Sequence, residues 1–222
     1  MKVPTTSEPS SPADLPQDVT GIILAGGQSI RLGQDKAFIE IEGRTMVERV
    51  IDRLRCVVAQ ILLVTNSPEP FAFLGLPMTA DLIAGVGVVG GLHAGLSAMH
   101  TEYGFVVGCD MPFLNVSLMR YQISLRYGYD VVIPRLGQQY EPLHAVYGRG
   151  CLATLEEGIR SGRRRIMDVC RGLRFRYVDE PEIVMHDPRR LSFFNINDTR
   201  DLERMRALWS SDQASAAGCD LT

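Results

Sequence analysis

Two loops carry the residues best able to do chemistry. The first, LAGGQSIRLGQDK from Leu24 to Lys36, sets Gly26 beside Gly27 and then strings out Arg31, Asp35 and Lys36. Paired glycines let the backbone approach a ligand closely and aim N–H groups at anionic oxygens. Arg31 and Lys36 add positive charge within reach of the same spot, which suits a phosphorylated ligand. A tight turn with solvated charges is the plain alternative, but two glycines and three charged residues exceed what a turn needs. Asp35 reads as a salt-bridge partner for Lys36 or an arginine, or as a solvated side chain. The second loop is CDMP, Cys109 to Pro112. Asp110 ends the apolar run FVVGCD, and Pro112 turns the chain away after it. A carboxylate there suits Mg²⁺, which usually takes one or two carboxylates plus phosphate oxygens and water. A turn or helix-capping aspartate is the bland reading.

Other candidates are weaker. GVGVVG, Gly85 to Gly90, matches GxGxxG, with Asp110 placed where a dinucleotide fold puts its ribose-binding acid. Three things count against it. The preceding TADLIAG is a poor buried strand, the helix that follows is short, and the first loop would be left unexplained. Asn66 offers a donor and an acceptor to a base or ribose, or makes an Asx turn. Asn195 and Asn197 are two apart, so on an extended segment they face one side. Arg163, Arg164 and Arg165 read first as a solvated helix start and second as a dock for an acceptor's phosphate. His144 reads as packed and hydrogen-bonded.

These residues need a scaffold. Strand-like runs occur at 20–24, 60–65, 105–110, 130–134, 143–147 and 174–178, several apolar throughout, as strands covered on both faces should be. Helical patterns fall between them at 45–55, 92–99, 114–127, 150–160 and 198–209, with Asn115 as an N-cap and Asp198 or Thr199 opening the last. The alternation predicts a three-layer α/β/α Rossmann-like sandwich with a mostly parallel mixed sheet. Ligands of such sheets sit beyond the carboxyl ends of the strands, where both loops fall. Residues 1–18 read as a disordered lead, 19–210 as one domain and 211–222 as a flexible tail.

Bulk properties exclude other classes. The net charge of −3 over 222 residues gives no basic surface for nucleic acid. No apolar run approaches the roughly 18–20 residues of a membrane span, and the lead lacks a signal peptide's apolar stretch. Five cysteines without a CxxC pair argue against a disulfide framework and for a reducing cytoplasm.

LAGGQSIRLGQDKAF resembles the signature LAGGxSxRxGxDK of nucleotidyltransferases that act on the molybdenum cofactor. Asn66 in VTNS, Asp81 before a Gly-rich segment, CDMP at 109–112 and FNINDTRDL at 194–202 follow in the same order. The likeness is to the molybdenum cofactor guanylyltransferase family and spans residues 20–209. It implies a nucleotide-diphospho-sugar-transferase-like fold and transfer of GMP from GTP to the phosphate of molybdopterin, with Mg²⁺ and release of pyrophosphate. It puts Leu24, Ala25, Gly26, Lys36, Asn66, Asp81 and Asp110 on GTP-contacting positions, with Gly27 beside them. Asp110 also falls on the metal position, and Arg31, Lys36 and Asp110 form the catalytic set. Asn195 and Asn197 fall on the acceptor or metal side. The implied partners are GTP, molybdopterin and, transiently, cofactor-loading proteins or client molybdoenzymes. A transferase using CTP and a non-catalytic nucleotide-binding carrier are the rival readings.

Overall fold

The computed structural model describes residues 15–26, 35–196 and 198–217, with side chains through Trp209. Residues 1–14 of the expected lead, Gly27, Arg31, Asn197 and residues 218–222 lie outside the described residues.

In chain order the elements are β1 (Val19–Leu24), β2 (Glu40–Ile41), β3 (Arg44–Thr45), α1 (Met46–Arg55), β4 (Gln60–Val64), β5 (Met78–Thr79), α2 (Val88–Ala98), β6 (Tyr103–Gly108) and α3 (Val116–Ser124). They continue with β7 (Val131–Leu136), β8 (Gln139–Tyr140), β9 (His144–Gly148), α4 (Leu152–Arg160), α5 (Ile166–Val169), β10 (Phe175–Asp179), α6 (Glu180–His186) and α7 (Thr199–Ala217). One sheet runs β10-β7-β9-β6-β1-β4-β5, with β8 paired to β7. The pairs of β1 with β4 and β6, β4 with β5, and β7 with β10 are parallel. Strand β9 runs against both β6 and β7, and β8 against β7. The expected mostly parallel mixed sheet is present.

Apolar side chains on the two sheet faces meet different helices. One core joins Val47 and Val50 of α1, Leu118 of α3 and Ile183 of α6 to strand residues such as Ile23 and Phe105. The other joins Leu92 of α2, Leu155 of α4 and Ile166 of α5 to Ile22 and Val106. Adjacent residues of β1 thus feed opposite cores, as strand alternation requires. Every residue of β1 is buried, which explains its near-continuous apolar run.

Local signals set several boundaries. Thr45 and Glu48 close a capping box at the start of α1. The Asn115 side chain accepts from Leu118 N–H at 3.1 Å, so α3 starts where expected. It ends at Ser124, short of 127, because the Leu125 and Arg126 N–H groups turn back to carbonyls three residues earlier and Gly128 takes a left-handed φ of 82°. Asp198 Oδ1 accepts from Asp201 N–H at 3.0 Å and opens α7. That helix runs past 209 to Ala217, through SSDQASAA, whose alanines and glutamine favour helix. Strand β6 ends at Gly108, so Asp110 sits in the turn and not on the strand itself.

Candidate functional site

Register brings the chemistry together. Thr79 pairs with Val64, Val64 with Leu24, and Leu24 with Gly108, making one row across β5, β4, β1 and β6. Asp81, Asn66, Gly26 and Asp110 each lie two residues beyond that row. Hydrogen bonds carry the ladder one step past it: Thr65 N–H donates to Thr79 O at 2.9 Å, Ala25 N–H to Val64 O at 2.9 Å, and Cys109 N–H to Leu24 O at 3.2 Å. The row spans a switch point. The chain leaves β1 through α1 to β4 and β5, then crosses the opposite face through α2 to reach β6 on the other side of β1. Ligands of open α/β sheets bind where connections diverge in this way.

Lys36 and Asp110 meet between β1 and β6. Lys36 Nζ lies 3.5 Å from Asp110 Oδ2, with the two side chains 18 % and 24 % exposed. Lys36 opens a 3-10 turn, Lys36–Phe38. Ala37 is buried in the α1-side core, and the Phe38 ring sits 4.8 Å from that of Phe71. Lys36 therefore rides on a fixed turn. Asp35 is exposed, as the solvated reading has it, and takes a local role besides. Its carboxylate caps the turn, accepting from Ala37 N–H at 3.0 Å. Gly108 makes room for Asp110, since a Cβ there would meet Asp110 Oδ1 at 2.8 Å. Next to it the Cys109 thiol is pushed far up, first by burial and then by the negative charges of Asp110 and Asp35. This cysteine is no thiolate nucleophile.

Asn66 and Asp81 form the other end of the row. Asn66 Nδ2 donates to Asp81 Oδ2 at 2.9 Å, and Asp81 N–H donates to Asn66 Oδ1 at 2.9 Å. The turn role falls instead to Thr65, whose hydroxyl accepts from Ser67 N–H at 3.2 Å. Asp81 lies against α2, where ideal Cβ atoms at Gly90 and Gly91 would stand 3.7 Å from its carboxyl group. GVGVVG thus forms the entry to α2, with Gly85 and Gly87 at φ 76° and 61°. It follows the two-residue strand β5, and Asp110 faces Lys36 rather than this loop, so the dinucleotide reading fails.

Leu24 and Ala25 are buried, and Gly26 is exposed, with no atom of the described residues within 4 Å of an ideal Cβ beyond its chain neighbours. Asn195 is half-buried on the segment after a 3-10 turn, Leu191–Phe193. Ser192 Oγ of that turn accepts from Asn115 N–H at 2.9 Å, and the buried Asp187 accepts from Ser192 N–H at 2.9 Å. Arg163, Arg164 and Arg165 are exposed on the turn between α4 and α5. Arg164 donates to the Arg163 carbonyl, and no described contact joins the run to Lys36 or Asp110.

His144 is packed as expected but not hydrogen-bonded through its ring. It is fully buried, edge-on to Phe105 and Phe193 at 5.4 and 5.2 Å, and neither ring nitrogen has a partner among the described residues. Its backbone carbonyl accepts from Gln122 Nε2 at 2.8 Å, and its backbone N–H donates to the Glu141 carbonyl at 3.1 Å. Burial pulls its pKa down to about 4.

Comparison with known proteins agrees with this geometry. Residues 21–177 match the MobA-like NTP transferase domain model. The chain is 39 % identical to a probable molybdenum cofactor guanylyltransferase of Pelotomaculum thermopropionicum, across 85 % of this chain and 92 % of that protein. It is also 39 % identical to the molybdenum cofactor guanylyltransferase of Desulfosudis oleivorans, across 85 % of this chain and 95 % of that protein. The crystal structure of molybdopterin-guanine dinucleotide biosynthesis protein A from Archaeoglobus fulgidus superposes with a TM-score of 0.76 at 28 % identity, covering 86 % of this chain and 99 % of that one. The Lys36–Asp110 pair at the switch point, the strand-end row and these likenesses converge, and the chain belongs to the MobA-like NTP transferase family of nucleotidyltransferase enzymes.

Proposed function

We propose that this protein transfers GMP from GTP to the phosphate of molybdopterin and releases pyrophosphate in an Mg²⁺-dependent reaction. The observation that carries the reading is the Lys36–Asp110 pair, 3.5 Å apart at the carboxyl edge between β1 and β6. The curated relatives bear the name molybdenum cofactor guanylyltransferase. The segment 19–210 is proposed as the catalytic unit.

The donor set fits a magnesium ion shared with a nucleotide. Among the described residues no group of three or more His, Cys, Asp or Glu could enclose a metal. A cage of protein ligands is therefore not built there, whereas Mg²⁺ needs only one or two carboxylates when phosphates complete its shell. Asp110 would hold it. Bound there, the ion would neutralise charge on the triphosphate.

The remaining work falls to the chain. An acceptor phosphate with a second pKa of about 6 is largely dianionic at pH 7 and needs no general base. Its oxygen forms a bond to the α-phosphorus as the α–β bridging bond breaks, and the electron pair leaves on pyrophosphate. Gly26 brings a backbone edge to the nucleotide. Lys36 offsets the charge developing on the leaving phosphates, which is positioning and electrostatic catalysis. The Asn66–Asp81 pair faces the nucleoside. Arg31 and Gly27 are proposed to join the phosphate contacts, and Asn195 and Asn197 the acceptor side. Cys56, Cys109, Cys151 and Cys170 are free thiols, which fits a reducing cytoplasm.

The test is pyrophosphate release from GTP and from CTP with purified molybdopterin. Release is expected with GTP and only weakly with CTP. Equal release from both overturns the guanylyl assignment. GTP binding without release supports the carrier reading instead.

A further inference from the structure

A third apolar cluster lies apart from the two cores that flank the sheet. Its buried members include Ile39, Ile41, Phe113, Ile196 and Met205, with Phe194 and Trp209 packed against them. The segments that carry Lys36, Asp110 and Asn195 all contribute to it. Ile39 lies three residues after Lys36, Phe113 three residues after Asp110, and Phe194 and Ile196 flank Asn195. Among its described side chains helix α7 places one buried residue, Met205, in this cluster and none in the other two.

Trp209 binds the pieces together. Its ring centroid stands 5.5 Å from that of Phe113, which meets Phe194 edge-on at 5.7 Å. The Arg49 guanidinium of α1 lies 3.9 Å from the Trp209 ring centroid. Trp209 Nε1–H donates to Glu42 Oε2 at 2.8 Å. Glu42 sits in the β2–β3 turn at φ 49°, a left-handed conformation that a residue with a Cβ rarely adopts. The hairpin, α1 and the CDMPF loop thus meet one indole, and the acceptor segment reaches it through Phe113. Aromatic contacts and a cation over an indole face stabilise such a cluster beyond area burial.

We infer that Trp209 is a positioning residue that holds the segment around Asn195 in register with Lys36 and Asp110. The inference rests on the guanylyltransferase reading. Gly26, Asn66 and Asp81 follow strands anchored in the two flanking cores, and Lys36 and Asp110 are held by their neighbours Ala37 and Met111 in one of them, so GTP binding does not depend on this clasp. The alignment of acceptor with Lys36 and Asp110 does, and misplacement by about 1 Å can cost roughly 10²-fold in rate.

The deciding comparison is wild type, Trp209→Leu and Trp209→Phe, each measured for GMP transfer to molybdopterin, GTP affinity by equilibrium binding, and circular dichroism. Trp209→Leu is expected to lose roughly tenfold or more in kcat while its GTP affinity stays within about twofold. Trp209→Phe keeps a ring against Phe113 and is expected to recover most of the rate. An unchanged kcat in a folded Trp209→Leu protein overturns the inference alone, as does a parallel loss of GTP affinity. Absence of transfer by wild type overturns the functional reading and the inference with it. Should Trp209→Leu not fold, the decision passes to wild type, because Trp209 is its sole tryptophan. Its emission is expected to shift on addition of molybdopterin and to hold on addition of GTP alone, and no shift with molybdopterin overturns the inference.

Discussion

At the scale of single residues, the site is a set of charges with little covalent chemistry of its own. Asp110 sits in a turn, pairs with Lys36 and belongs to no described cluster of three or more His, Cys, Asp or Glu. Asp110→Asn keeps the shape and one acceptor oxygen but removes the charge. It is expected to fold normally, lose most activity and bind GTP with much weaker dependence on Mg²⁺. The measurement is GTP affinity with and without Mg²⁺ in both proteins, and an unaltered dependence in the variant would remove Asp110 as the metal ligand. Gly26 tests nucleotide choice. Among the described residues an added Cβ meets no atom within 4 Å beyond its chain neighbours, so Gly26→Ala should leave stability within about 0.5 kcal/mol. Any loss must then come from the ligand, and a purine is the larger base. Turnover with GTP is expected to fall more than turnover with CTP, and equal losses in parallel assays would refute that.

At the scale of elements, close packing of α2 on the sheet sets where the Asp81 end of the row lies. Gly95 faces β1 and β4, and a Cβ there would stand 2.6 Å from Ile22 Cγ2 and 3.2 Å from Val64 Cγ2. Those methyls belong to buried β-branched side chains with little freedom to move. Gly95→Ala gains up to about 1 kcal/mol in helix propensity. Overpacking costs about 1–3 kcal/mol, so the variant is expected to be destabilised by roughly 1–2 kcal/mol. A urea midpoint equal to or above that of wild type would show that α2 shifts without penalty. Helix α6 also belongs to this scale. The Glu182 carboxylate accepts from Asp179 N–H at 3.1 Å, and Pro181 sits in the first turn. Both signals stand in the sequence DEPE, but the strand before it ends on the same aspartate and hides them.

For the whole molecule, buried histidine couples stability to pH. His144 is neutral when folded, with its pKa pulled down to about 4 against an ordinary value of 6.5. Between those values the unfolded chain binds more protons, so stability present above pH 6.5 is lost as pH falls toward about 4. The shift corresponds to about 3 kcal/mol at most. His186, also lowered by burial, acts in the same direction. Asp18, Asp130 and Glu182 are held below the usual carboxylate range by Arg126, Arg174 and Arg176 respectively, against opposing burial, and their contributions disappear at lower pH. In urea titrations at pH 7 and pH 5, His144→Phe is expected to lose less stability than wild type. Identical losses would mean that His144 takes up no proton on unfolding in that window.

The sequence by itself determined the elements that rest on local pattern. β1 and β6 are apolar runs, α1 carries a period of 3.6 and a capping box, and Asn115 marks a helix start, all readable without a third dimension. It also marked out two candidate loops, because paired glycines, Lys36 and Asp110 are conspicuous wherever the chain puts them. Short elements escaped it. β5 and β8 have two residues each, too few to show a period. Only the tertiary structure decided who partners whom. Asp35 caps its own turn, Lys36 turns to Asp110, Asn66 exchanges two hydrogen bonds with Asp81, and His144 packs between rings with its nitrogens unpartnered. Those pairings span up to 74 residues in sequence, and their distances follow from strand register and helix packing. Local propensity carries no information on either, since both emerge when the sheet closes its two cores.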